Sequence, residues 1–258
     1  MDSFYDSLKK TFVVVLRAYA NSIPADSLVL DAGCGMGQLT KFVGKNLGRK
    51  AIGIDIDPAP LKVASSSGQD VVSHGSFALF DGERFPFADH RFGLIIAHEV
   101  IEHVPEDMSF LIEMHRLLKP SGFLLISTPN ANRQPLSQRA HPEHVRHYYP
   151  SKLVDILTAC GYSIVETCFR RHQIAAFFDR VLSGYAERIL APEEIQPHMR
   201  RYCTEGMKSP ANLLLKSYQV LGDPLVTWIE QTEFRLLKKR REGSSFIVVC
   251  QKPGEVNK

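Results

Sequence analysis

The chain has 258 residues, of which 44% are hydrophobic and 23% charged, enough apolar material for a full core and the composition of an ordinary globular protein rather than a disordered one. A formal net charge of +3 is too mild to imply nucleic acid or an acidic membrane surface as a partner. The five cysteines (Cys34, Cys160, Cys168, Cys203, Cys250) are an odd, scattered set with no Cys-x-x-Cys pair, which argues against zinc or redox work and points to a reducing compartment.

Tyr5, Leu8, Phe12, Leu16 and Tyr19 recur at helical spacing, so an amphipathic helix opens the chain and ends before Pro24. Its apolar run is too short and too flanked by charge for a signal peptide. No later stretch reaches the roughly 20 apolar residues of a membrane span, so a cytoplasmic protein without stable membrane insertion is expected. A strand "SLVLD" (27–31) follows, closed by "AGCGMG", and Leu39, Phe42 and Val43 give the apolar face of the next helix. The pattern then repeats: strand "AIGID" (51–55), a helix from near Pro58, a weaker strand near "DVVSH" (70–74), and strand "GLIIAH" (93–98). A helix over about 108–118, strand "FLLIST" (123–128), helix 150–161 and strand "YSIVETCF" (162–169) continue it. Such alternation predicts an α/β fold with a parallel sheet covered on both faces.

From Arg170 to Gly243 the alternation stops and the text is mainly helical, before a last strand "SSFIVVCQKP" (244–253). The expected architecture is therefore a Rossmann-like, seven-stranded, mostly parallel sheet built from 1–169 and 244–258, with a helical cap, 170–243, inserted before the last strand. An insertion of that size is best explained as a cover over a site that selects the ligand. Phe177, Phe178, Tyr185 and Trp228 could line it, and the basic run "RLLKKRRE" (235–242) could meet a phosphate or simply be a solvated helix face.

"VLDAGCGMGQLT" (29–40) places Gly33, Gly35 and Gly37 at the mouth of a strand, where an open α/β sheet keeps its binding crevice. Gln38 stands where a dinucleotide fingerprint would want a later glycine. Asp31 would repel a pyrophosphate but welcome an ammonium or sulfonium, so the loop suits S-adenosylmethionine better than NAD. Asp55, closing the second strand, has the place of an acid that takes ribose hydroxyls.

At these residues the chain resembles the class I S-adenosylmethionine-dependent methyltransferases, over 27–169 and again 244–253. The resemblance implies that Asp31, Gly33, Gly35 and Gly37 contact the methionine portion of the cofactor and that Asp55 takes its ribose. It further implies that Ile56 packs on the adenine, and that Asp81 and Gly82 of "FDGERFPF" (80–87) approach the adenine amino group and ring. "FGLIIAHEVIEHV" resembles the fourth motif and brings His98 to the cofactor; the family's usual acid there is replaced by Gly93.

Within that motif, "HEVIEHV" (98–104) looks like a metal site but lacks both zinc-protease spacings, since Glu102 stands four residues after His98. What remains is Glu99, Glu102 and His103 at i, i+3 and i+4, which share a face if the segment is helical. With a histidine from "RAHPEHVRHYY", which offers His141, His144 and His147, they would suit Mg²⁺ or Mn²⁺. The combination resembles both the small-RNA 2′-O-methyltransferases, which hold a metal with such residues, and the ubiquinone-biosynthesis O-methyltransferases; the first resemblance implies His144 as that histidine. The bland alternative is that the pair ties down a loop, leaving His98 as general base.

The expected function is methyl transfer to a small molecule, at a hydroxyl oxygen rather than an amine, because a hydroxyl needs help with its proton from His98, His103, His144 or a metal. The alternatives are metal-dependent RNA 2′-O-methylation and a non-catalytic cofactor-binding module. Neither the acceptor nor the oligomeric state follows from the sequence.

Overall fold

The computed structural model describes residues 6–66, 75–80, 84–136, 143–170, 231–232, 234–241 and 243–254. Two compact units divide the chain: Val15–Cys168 with Ser244–Lys258, and Met1–Val14 with Phe169–Gly243. The first few turns of the chain thus group with the insertion rather than with the sheet, against the expected boundary.

The larger unit is built on seven strands, β1 (Leu28–Ala32), β2 (Ala51–Asp55), β3 (Ser76–Leu79), β4 (Phe92–His98), β5 (Leu118–Pro129), β6 (Ser163–Arg170) and β7 (Ser245–Gln251). They form one sheet in the order β3-β2-β1-β4-β5-β7-β6. β2, β1, β4 and β5 pair in parallel with their neighbours, and β7 runs antiparallel to β5. The central strands are apolar along their whole length because both faces are covered: Leu94, Ile95, Ile96 and Ala97 of β4 and Ile247 to Cys250 of β7 are fully buried.

The helices α1 (Asp6–Ala20), α2 (Gln38–Leu47), α3 (Pro58–Ser66), α4 (Asp107–Leu117) and α5 (Pro150–Ala159) fall where their periodicity predicts them. The third strand does not. It occupies Ser76–Leu79, and the expected 70–74 segment lies outside the described residues. β3 is a short edge strand with mostly exposed side chains, so it lacks the apolar run by which the others announce themselves.

Chain order reverses at β1, which lies between β2 and β4. Such a reversal opens a crevice beyond the carboxyl ends of the strands, between the β1 and β4 loops. Of the second unit, the described part includes the buried Phe234, and the Phe169 amide donates to the Lys238 carbonyl at 2.7 Å. Phe177, Phe178, Tyr185, Trp228 and Cys203 lie outside the described residues. The other four cysteines are buried.

Gly93, the departure from the family pattern, has a packing cause. A Cβ there would stand 2.8 Å from Ser27 Cβ and 3.4 Å from Ile23 Cδ1, so β4 approaches the β1 lead-in where only a hydrogen fits. Gly93→Ala is expected to lower unfolding stability by about 1–3 kcal/mol in urea titration, the usual cost of overpacking; an unchanged midpoint would show that Ser27 yields.

Candidate functional site

The glycine loop follows β1 and docks on the end of β2, where the Gly33 and Cys34 amides both donate to the Ile54 carbonyl, at 2.8 and 2.9 Å. Gly33 has φ +76°, and a Cβ on it would lie 2.5 Å from Val100 Cγ2. Both the backbone and the space therefore require glycine. Gly35 also lies in the left-handed region, at φ +52°, but with nothing within 4 Å of where its Cβ would be. The middle of the loop is thus an open cradle with bare backbone facing it. Gly37 starts α2 against the ring of Phe77.

Two acids frame this cradle differently. Asp55 accepts from the Gly35 amide through Oδ2 at 2.7 Å and from the Asp57 amide through Oδ1 at 3.0 Å, so it shapes the loop while half-exposed. Asp31 is buried, and the Thr40 hydroxyl donates to its Oδ2 at 2.6 Å. Asp31 is therefore tied to α2 through Thr40. Ile56, next to Asp55, is 67% exposed and presents an apolar side chain beyond the end of β2. Asp81 and Gly82 lie outside the described residues.

Across the crevice, "HEVIEHV" is not a helix. Glu99 takes φ +54°, and only Ile101–His103 form a single 3₁₀ turn. The three groups expected on one face are consequently divided into two clusters. Glu99 turns to β5 and β7, where the Ser127 and Ser245 hydroxyls lie 3.0 and 3.1 Å from its Oε1. His98, at the end of β4, has a side chain only 6% exposed, with Nδ1 2.5 Å from Ser127 Oγ.

The second cluster brings Glu102, His103 and His144 together, one ligand-type atom of each within 4.8 Å of the others. Glu102 is fully buried and its Oε2 accepts from Thr128 Oγ1 at 3.1 Å. The rings of His103 and His144 meet edge-on, with centroids 4.6 Å apart. Backbone carbonyls set their tautomers. His147 Nδ1 lies 2.6 Å from the Gln134 carbonyl, which can only accept, so His147 Nε2 accepts from His144 Nδ1 at 2.7 Å. His103 Nδ1 donates to the Glu143 carbonyl at 3.2 Å. Neutral His103 and His144 therefore both keep their lone pair on Nε2.

The segment carrying His144 is anchored to the same loop. The Val145 amide donates to the Glu102 carbonyl at 2.8 Å, and Asp107 Oδ2 takes bonds from Arg146 Nη1 and the Tyr148 hydroxyl, each at 2.7 Å. Burial, and then the Asp107 carboxylate, push the Tyr148 hydroxyl well above the usual tyrosine range, so it stays a donor at any working pH. His141 lies outside the described residues.

Residues 30–126 match the methyltransferase domain family. Over that stretch the chain is similar to S-adenosylmethionine-dependent methyltransferases. The chain is 32% identical over 117 residues to the ubiquinone biosynthesis O-methyltransferase of Cereibacter sphaeroides, covering 45% of this chain and 47% of that one. It is 32% identical over 102 residues to the chloroplastic tocopherol O-methyltransferase of Arabidopsis thaliana, covering 39% and 29%. With the norajmaline N-methyltransferase of Rauvolfia serpentina it shares 30% over 118 residues, covering 45% and 40%. The chain spans about half the length, or less, of the curated relatives it matches. Among solved structures, the S-adenosylmethionine-dependent methyltransferase of Archaeoglobus fulgidus aligns with a TM-score of 0.58 at 16% identity, covering 96% of this chain and all of that one. The cyclase SpnF aligns with 0.63 at 19%, covering 95% and 81%. Those likenesses establish the fold alone.

S-adenosylmethionine is the family's cofactor, and the residues present fit it: an open glycine cradle at Gly35, an acid at the end of β2 and an exposed apolar shelf at Ile56. Sequence reasoning missed Thr40, Val100, Ser127 and Ser245, each of which acts on a site residue rather than displaying a motif, and it offered His147 as a ligand where the structure has it bonded to His144. For Ser127 a signal existed in the two hydroxyls that end the apolar run of "FLLISTPN".

Gly33→Ala is expected to weaken S-adenosylmethionine binding at least tenfold by calorimetry, through φ strain of about 1–2 kcal/mol plus the collision with Val100. Adding Val100→Ala should recover part of the loss. Strict additivity of the two changes would mean that the contact is not what excludes a side chain.

Proposed function

We propose that the protein transfers a methyl group from S-adenosylmethionine to a hydroxyl oxygen of a small molecule, with His98 receiving the hydroxyl proton. The observation that carries this reading is the contact of Gly33 with Val100, which brings the glycine loop against the segment beginning at His98. The quinone- and tocopherol-related O-methyltransferases among the relatives support a small hydroxylic acceptor, while an amine acceptor would need no base, only a neutral nitrogen.

When bound, S-adenosylmethionine supplies an electrophilic methyl carbon on a sulfonium. The chain's part is to hold the acceptor oxygen in line with it, at about 3–3.5 Å, and to manage one proton. His98 Nε2 would take that proton from the acceptor hydroxyl as the oxygen is methylated. Asp31, buried behind the loop, and Asp55 at its rim give the crevice a negative field that favours the sulfonium. Methyl-labelled S-adenosylmethionine incubated with a panel of hydroxylic acceptors should yield labelled ether. Binding without turnover on the whole panel would instead favour a cofactor-binding module. On an accepted substrate, His98→Ala should lower kcat by about 10²–10⁴; a full rate removes His98 from the role.

A second component is favoured by the grouping of Glu102, His103 and His144, which we assign to a divalent cation beside the acceptor hydroxyl. With Glu99 turned away, the donors are one carboxylate and two imidazoles rather than two carboxylates and one imidazole. That set suits Mn²⁺ or another borderline ion better than Mg²⁺. Such an ion would lower the pKa of a bound hydroxyl. Calorimetric titration of Mn²⁺ into chelator-treated protein should show one site, lost in His144→Ala and Glu102→Gln. Absence of binding, with activity indifferent to chelation, would leave the cluster as a brace between the β4 loop and residues 143–148.

A further inference from the structure

We infer that Ser127 and Glu99 are positioning residues that hold His98 in the tautomer protonated on Nδ1, leaving the lone pair on Nε2. The inference rests on the reading of His98 as the base.

His98 and Ser127 are register partners on the neighbouring parallel strands β4 and β5, so their side chains leave the sheet on the same face. Ser127 is fully buried, and three groups surround its single hydroxyl: His98 Nδ1 at 2.5 Å, the Glu99 amide at 3.2 Å and Glu99 Oε1 at 3.0 Å. A carboxylate oxygen only accepts and an amide N–H only donates. The serine proton therefore goes to Glu99, its lone pairs receive the amide and the imidazole, and His98 must be the donor at Nδ1. Ser245 Oγ, on β7, lies 3.1 Å from the same Glu99 oxygen and 3.0 Å from the Thr128 carbonyl, so it steadies the far end of the chain of bonds.

The backbone is arranged for this. Glu99 is a non-glycine residue at φ +54°, a conformation that L residues adopt at a cost. It turns both the amide and the carboxylate of one residue onto one serine. Strain of this kind persists at sites where the surroundings over-determine it. Glu99 Oε1 also lies 4.0 Å from His98 Nδ1, where it would balance the imidazolium formed on proton uptake.

The test is a long-range ¹H–¹⁵N correlation spectrum of histidine-labelled protein without cofactor, with His98 assigned by comparison with His98→Gln. The expected spectrum shows the Nδ1–H tautomer in the wild type and a shift toward Nε2–H in Ser127→Ala. Ser127→Ala should also lower kcat about tenfold with KM for S-adenosylmethionine unchanged, and Ser127→Thr, which restores the hydroxyl, should recover both tautomer and rate. A wild-type Nε2–H tautomer, or an unaltered tautomer in folded Ser127→Ala, overturns the inference. If Ser127→Ala fails to fold, the wild-type spectrum alone decides. The expected tautomer combined with full activity of His98→Ala would leave the positioning intact and dismiss the base.

Discussion

The site depends on one close approach. Gly33, at the end of β1, carries no side chain because Val100, in the turn after β4, occupies that space. The two loops rise from neighbouring strands paired residue by residue from Val29 with Leu94 to Asp31 with Ile96, at the point where strand order reverses. The bare backbone of one loop and the histidines of the other are therefore walls of one crevice. Without that contact the glycine loop would keep its own shape, but nothing would fix its distance from the groups proposed to handle the acceptor.

The acceptor wall is itself divided by a single dihedral angle. Had Glu99 continued a helix, its carboxylate would have joined Glu102 and His103 on one face. Its positive φ instead sends it to Ser127 and Ser245, and leaves a mixed imidazole–carboxylate group around Glu102. One seven-residue stretch, "HEVIEHV", thus supplies two separate hydrogen-bonding systems, one reaching β5 and β7 and the other reaching residues 143–148.

Most of the architecture was legible because the buried strands and amphipathic helices carry their periodicity in the chain, and the glycine loop carries its spacing. β3 was not, since an exposed four-residue edge strand has no hydrophobic run to detect. The metal-type cluster was half legible. Residue types and spacing named Glu102, His103 and His144, but the helix assumed for "HEVIEHV" put Glu99 with them, and no periodicity reveals a left-handed residue that is neither glycine nor asparagine. The pairing of Ser127 with Ser245 was hidden for another reason: they come from strands distant in sequence, and only the antiparallel return of β7 beside β5 brings them to the same carboxylate.

Asp55 carries a consequence for how binding energy is used. Its carboxylate fixes the glycine loop through Gly35, and the family resemblance assigns it to the cofactor ribose, a part shared by the methylated cofactor and its demethylated product. Affinity gained there is the same before, during and after transfer, so it raises occupancy without lowering the barrier, and it holds product as firmly as substrate. In the proposed reaction, discrimination between the two states, and with it any acceleration, would fall to groups that respond to the changing charge at sulfur and at the acceptor: Asp31 behind the loop and the histidines beyond β4 and β5. On that reading the loop most recognisable in the sequence sets retention, and the rate belongs to residues whose neighbours only the fold displays.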